Sequence, residues 1–435
     1  MTDAGELHFA ARTSPIAGLD TVVWVSLSAL LLLVFVLPQS FAELKLPFVA
    51  TILAGLVVGA MSGRWRFEVS VLSYYLCFCV LALAWSMVVL IRGNPVQAIV
   101  EAVRVYVVFM LIYFGLTVCI SNTRYQQYTD RLIAYASLGI GMTTLYALAD
   151  HLYGLGWLSQ AIKDELLMQV GMHPGYTQMN NVNIGMLVFI VPYLFSRVLC
   201  SWRVSPLLML ALAVGLLSAV LASRRMVLVL FVITPALVLG VGLLAGRLPR
   251  RCYLACATFY ALVAIVVLGG GFLVGLGDLA FLEGFLGRLT SALGGSPDDP
   301  RVSQHQALLA GFKEHYVLGS GFGGLASVIR SEERPWTYEL TYSRLLFNSG
   351  LIGTLLLGGL LAAYFLAALR KTRTSVHAEL YIALLCGFLA MLIAAASNPY
   401  LSSFDFVFAF SILPLILNSK DDDEGDSKQS RGAAA

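Results

Sequence analysis

Unbroken apolar runs of about twenty residues, separated by short polar connectors, dominate this chain. The pattern is neither the two-residue alternation of a half-buried strand nor the 3.6-residue stripe of a soluble helix. A helical run of that length covers a hydrocarbon core of roughly 30 Å and satisfies its own backbone there. Runs near 20–38, 47–62, 69–91, 98–120, 130–150, 181–199, 205–222, 226–245, 254–275, 341–369, 379–396 and 403–418 predict an all-α integral membrane protein of about twelve transmembrane helices. The expected order is a leader over 1–19, helices one to nine over 20–275, a large loop over 276–340, helices ten to twelve over 341–418 and an acidic tail over 419–435. No repeat with a period of 20–50 residues is visible, so a solenoid is excluded.

Composition strengthens this picture. Of 435 residues, 59% are hydrophobic and 12% charged, and the mean hydropathy is +0.82, values that a soluble domain with a polar surface does not reach. The net charge of +3, spread singly and in pairs, sets nucleic-acid binding aside. All seven cysteines fall in or at the edges of apolar runs and read as small hydrophobes. No small-residue cleavage site follows the first run, so it is expected to stay as an anchor.

The connectors predict an orientation. One alternate set carries Arg64 and Arg66, Arg124 and Arg131, Arg197 and Arg203, Arg247, Arg250 and Arg251, and Arg370, Lys371 and Arg373, while the opposite short connectors carry chiefly Lys45, Arg92, Lys163, Arg224 and Arg225. By the positive-inside rule the first set and both termini are cytoplasmic. The long connectors 151–180 and 276–340 are then periplasmic, with the acidic tail a solvated, disordered end.

Candidate chemistry gathers on that outer side. Arg224 and Arg225 defy the charge rule; they are either interfacial anchors or an anion site, since guanidinium forks match phosphate oxygens. Arg301 opens a short amphipathic helix and either pairs with Asp298 or Asp299 or contacts a ligand. His305 and His315 read as satisfied polar side chains, and the Asp298–Asp299 pair, flanked by prolines, as a turn rather than a metal site. The turn Gly319-Ser320-Gly321-Phe322-Gly323-Gly324 lacks a phosphate loop's Gly-Lys-Ser/Thr ending and is expected to stop a helix and bring backbone close to neighbouring helices. Glu339 stands at the mouth of the tenth helix, with Tyr342, Arg344 and Asn348 following; there it is either a base or a helix cap.

Four stretches, SRRMVLVLF from Ser223, Arg301 with its helix and GSGFGG, Asn183 before the sixth helix, and ELTYSRLLFNSGLIG from Glu339, resemble the O-antigen ligase and O-antigen polymerase superfamily of bacterial envelope enzymes. Gly350 and Gly353 stand where the ligase motif has glycines, but Glu339 occupies the place of the ligase's catalytic His and Leu340 that of the polar residue after it. An acidic residue there with Tyr three positions on resembles the polymerases. The resemblance implies a GT-C-like bundle in the bacterial inner membrane with its active site facing the periplasm. It implies a metal-independent glycosyltransferase with no cofactor, acting between an undecaprenyl-diphosphate-linked oligosaccharide and a glycan acceptor, with a chain-length-regulating membrane protein as a further partner. Catalytic roles then fall to Glu339, Arg224 and Arg301, and substrate-binding roles to Arg225, Tyr342, Asn183 and Arg344. The ligase, passing polymer to lipid A-core, is the alternative within the class. An envelope glycan transporter or flippase is the alternative outside it; paired broken helices and mid-span charges would favour that reading.

Overall fold

The computed structural model describes residues 19–63, 65, 67–122, 125–166, 168–173, 176–201, 205–275 and 300–419. The leader up to residue 18, the Asp298–Asp299 pair and the acidic tail from residue 420 lie outside them. The described chain is overwhelmingly helical. In order come α1 (Leu19–Val36), α2 (Ala42–Met61), α3 (Val69–Arg92), α4 (Val96–Ser121), α5 (Tyr125–Tyr153), the short α6 (Gln160–Glu165), α7 (Leu187–Cys200), α8 (Pro206–Leu221), α9 (Arg225–Ala245), α10 (Arg250–Gly275), α11 (Pro300–Glu314), α12 (Thr341–Thr374), α13 (Ala378–Ala395) and α14 (Ile412–Asn418). Eight helices among the described residues are long and apolar enough to cross a membrane. Pro206–Leu221 and Phe404–Asn418 are among the shorter apolar segments, the latter interrupted by a 3-10 turn at Phe408–Ser411.

One departure from an all-helical expectation is an antiparallel hairpin in the connector before α7, β1 (Gln169–His173) paired with β2 (Tyr176–Asn180), Val170 opposite Met179. The boundaries of the helices follow local chemistry. Gly93 and Gly246 adopt φ of 70° and 64° just past α3 and α9, the left-handed cap that glycine takes without strain. Pro235 denies α9 an internal donor bond, and the Tyr260 hydroxyl fills the opening, accepting from Ala236 N–H and donating to Val232 O, each at 3.1 Å.

The centre of the bundle is α7 against α13, both buried along nearly their whole length. Tyr75, fully buried on α3, ties three elements together through Thr117 at 2.7 Å and Ser411 at 3.2 Å. Around this core a belt of Leu, Val and Ile side chains stays exposed, among them Ile91, Leu244, Leu254 and Leu355, as lipid contact requires.

The two ends of the bundle differ in charge. At one end Arg197 of α7 chelates Asp130 of α5 at 2.7–3.1 Å, Arg251 of α10 pairs with Glu379 of α13, and Arg247 donates to Arg373 O at 2.7 Å. This brings Arg197, Arg247, Arg251 and Arg373 of the basic connectors to one end. At the opposite end Lys45 and Asp405 form a buried ion pair at 2.8 Å, and Asp405 also accepts from Gln39 N–H at 2.7 Å. The candidate residues lie at this second end.

Candidate functional site

The site is framed by a break in α12. Gly350 has φ 62° and ψ −167°, so two half-helices meet there, each leaving backbone groups without an intrahelical partner. The chain after α11 supplies them. Ser320 and Gly321 N–H donate to Phe347 O and Asn348 O at 2.8 and 2.9 Å, while Leu351 and Ile352 N–H donate to Tyr316 O and Val317 O at 2.8 and 3.2 Å. Such approach needs glycine on both sides. A Cβ on Gly319 would lie 2.4 Å from Asn348 O, and one on Gly350 2.4 Å from Gly319 N. Trp85 Nε1 to Leu318 O at 2.9 Å and Asn94 Nδ2 to Ser320 O at 2.8 Å fasten the turn to α3 and the residues after it. The close backbone approach expected of this Gly-rich turn is present, while α11 already ends at Glu314, ahead of it.

With the turn fixed, α11 lies along the first half of α12, and Arg301 meets Glu339. Arg301 Nε donates to Glu339 Oε2 at 2.8 Å, Arg330 pairs with Oε1, and the Glu339 N–H donates to the buried Gln304 Oε1 at 3.1 Å. The Glu339 side chain is 17% exposed and both arginines are far more so. A carboxylate half withdrawn from water is thus neutralised from two sides. Arg301 thus bonds Glu339, while the Asp298–Asp299 alternative lies outside the described residues. His305 bonds Ser343 through Nδ1 at 2.8 Å, in keeping with a satisfied polar side chain. A small core of Ala307, Leu308, Ala326, Tyr338 and Phe347 holds the layer, with the Tyr338 hydroxyl donating to Gly324 O at 3.0 Å and accepting from Ala326 N–H at 2.7 Å. Burial pushes the Tyr338 phenol up, and the Ala326 N–H pulls it back.

Beside Glu339 opens a cavity of about 680 Å³. Its polar part carries Glu101, Arg104, Arg334, Trp336 and Arg344; its apolar part, between α3, α12, α13 and the last segment, carries Phe78, Leu357, Leu361, Leu392 and Phe410. Trp336 Nε1 donates to Glu101 Oε2 at 2.8 Å, and Arg334 lies 3.7 Å from Oε1. Tyr342 lines the cavity and donates its hydroxyl to Leu392 O at 2.5 Å.

The other expected site residues are placed differently. Arg224 stands at the N-terminal boundary of α9 after Ser223, which has φ 52°, and Arg225 is exposed in the first turn. Burial pushes the Tyr400 hydroxyl up, and the charges of Arg224 and Arg301 pull it back down. Tyr400 in turn packs near Gly185, two residues from Asn183. Asn183 is buried and donates to Val36 O at 3.0 Å and Thr143 Oγ1 at 2.7 Å, bracing α1 against α5. Arg224, Arg225, Arg301 and Asn183 do not line the cavity; Glu339, Tyr342 and Arg344 do. Among the described residues no three of His, Cys, Asp and Glu come together as a metal site requires.

Sequence reasoning missed Arg330, Trp336, Glu101 and Arg104. The loop residues carry no local signal, but Glu101 and Arg104 do, as charges inside the apolar run of α4. Their position also corrects the expectation that charges gather only at the outer face. Compared with protein-family models and with curated proteins, the chain matches none.

Proposed function

We propose that this chain is a membrane glycosyltransferase that polymerises lipid-linked oligosaccharide repeats, moving glycan from undecaprenyl diphosphate to a sugar hydroxyl at the periplasmic face of a twelve-helix bundle. The observation that carries the reading is the meeting of Arg301 and Glu339 at 2.8 Å. Two of the stretches that resemble the ligase and polymerase superfamily thus meet, although they start from α11 and the mouth of α12. The gathering of basic connectors at the far end supports a cytoplasmic assignment for that end. The backbone groups freed by the break in α12 are met by loop backbone, whereas a transporter's broken helix keeps them for its cargo, which favours a transferase.

In this mechanism Arg224, Arg225 and Arg301 hold the diphosphate and stabilise the charge it gains as the glycosidic C–O bond breaks. The acceptor oxygen attacks the anomeric carbon, and its proton passes to Glu339 or is held by it on the way to solvent. Each Glu339 oxygen accepts from one guanidinium and keeps capacity for a further donor. Glu101, the other carboxylate of the cavity, is taken up by Trp336 and Arg334, so a direct displacement with inversion is the reaction assigned. An acidic Glu339, with Tyr342 three residues on, favours the polymerase over the ligase. The test is the glycan profile of a deletion strain. A lost polymerase leaves single repeats attached to their final acceptor; finished polymer stranded on the carrier lipid would make the protein a ligase, and an unchanged profile would remove it from glycan assembly.

A further inference from the structure

Arg104 sits well inside the apolar span Val96–Ser121 and opens the π turn Arg104–Val108, the one interruption of α geometry in that helix. Charged residues at such depth are kept for what they bind, and single π turns re-aim side chains at functional positions. Arg104 lines the cavity, and so does Arg344 from α12. The remaining charges of the cavity are matched within the protein, Glu101 by Arg334 and Glu339 by Arg301 and Arg330. Arg104 and Arg344, in contrast, have no ion pair or hydrogen-bond partner for their side chains among the described residues. A third group faces the same space. Asn348, one turn after Arg344, is 7% exposed, lines the cavity, and its side-chain oxygen has no partner. A buried amide left open is costly unless something arrives to meet it.

Two uncompensated guanidiniums form a set of planar donors that fits a carboxylate, and the open Asn348 oxygen beside them accepts from a sugar hydroxyl. Trp336 on the same wall, with Phe322 stacked on Tyr106 at 5.7 Å, adds the flat apolar surface on which a sugar ring rests. We propose that this wall binds the acceptor glycan through a carboxylate on one of its sugars, so that the saccharide handled is an acidic one. The inference rests on the transferase reading for the word acceptor. It is separate from the diphosphate site, since Arg224, Arg225 and Arg301 do not line this cavity.

The experiment is equilibrium binding to the full chain in lipid nanodiscs, which reads no transfer. Its probes are tetragalacturonate, the carboxyl-reduced neutral tetrasaccharide and farnesyl diphosphate. Tetragalacturonate is expected to bind at least about tenfold more tightly than its reduced counterpart, with an affinity that falls as salt rises. Arg104→Gln and Arg344→Gln should each cost about tenfold or more, and Arg224→Lys should leave this binding unchanged. Both Gln variants keep a long polar side chain, and an unchanged elution volume in size-exclusion chromatography certifies their fold. Equal binding of the neutral tetrasaccharide, or indifference to both substitutions, overturns the proposal. So does binding of farnesyl diphosphate that depends on Arg104 and Arg344 where tetragalacturonate shows none, because the wall would then serve the carrier lipid. Acid-saccharide binding in a protein that makes no polymer would sink the transferase reading alone. Polymer made from neutral repeats without probe binding would sink this one alone.

Discussion

Arg301 Nε lies 2.8 Å from Glu339 Oε2 across 38 residues of chain. The two groups assigned to opposite partners of the reaction, diphosphate and acceptor, are therefore in contact before either partner arrives. A donor diphosphate that takes the Arg301 guanidinium frees one oxygen of Glu339 for the acceptor hydroxyl.

That contact makes Glu339→Gln the sharpest test. The amide keeps shape and one acceptor oxygen but cannot take a proton, so polymer should fall by two or more decades while lipid-linked donor still binds and the protein still inserts. Glu339→His should restore part of the activity, because an imidazole also accepts a proton near neutral pH. Normal polymer from the Gln variant would remove Glu339 from the mechanism.

The arginines are expected to resist conservative exchange. A lysine supplies a point charge without the fork that grips two oxygens. Arg224→Lys and Arg301→Lys should each lose on the order of 3–4 kcal/mol of transition-state stabilisation, or about two to three decades of turnover. Full turnover in both, measured with purified enzyme and lipid-linked donor, would reduce them to membrane anchors.

Gly350 tests the architecture instead of the chemistry. A Cβ there would lie 2.5 Å from Val317 O, and the backbone conformation alone costs a side chain on the order of 1–3 kcal/mol. Gly350→Ala should lower the melting temperature in detergent by several degrees, whereas Gly359→Ala, whose Cβ meets nothing within 4 Å, should leave it level or raise it slightly. Equal melting of the two variants would argue against a fixed break.

Lys45 and Asp405 supply a stability prediction away from the site. Their side chains are 7% and 4% exposed, so removing one partner strands a buried charge. Lys45→Met alone should cost on the order of 3–5 kcal/mol, and adding Asp405→Leu should recover much of it. Thermal unfolding of the three variants gives the coupling, and additive losses would mean the pair is wet and weak.

Orientation can be read with an impermeant thiol reagent on spheroplasts, using a variant without native cysteines. A cysteine at Glu332 should react and one at Thr374 should not. The reverse pattern would turn the molecule over and move the cavity to the cytoplasm.

How much of this was legible before folding follows from the range over which each feature is decided. Whether a stretch of about twenty residues prefers lipid to water depends only on its own side chains, so the positions of α3, α5, α9 and α13 were readable to within a few residues. Gly319 and Gly321 announced a tight backbone approach for the same local reason, while Glu101 and Arg104 were missed although as charges in an apolar run they carried a local signal. The break at Gly350 was not visible, because Asn348-Ser349-Gly350 is a short polar interruption that an unbroken helix also tolerates. Only the backbone donors and acceptors of residues 316–321, arriving from another part of the chain, make two half-helices there as satisfied as one. The partners of Glu339 were likewise undecidable in one dimension. An arginine pairs with whichever carboxylate the packing of α11 on α12 places within reach, and that packing chose Glu339, left Asn183 as a brace between α1 and α5, and turned Arg104 and Arg344 onto one cavity.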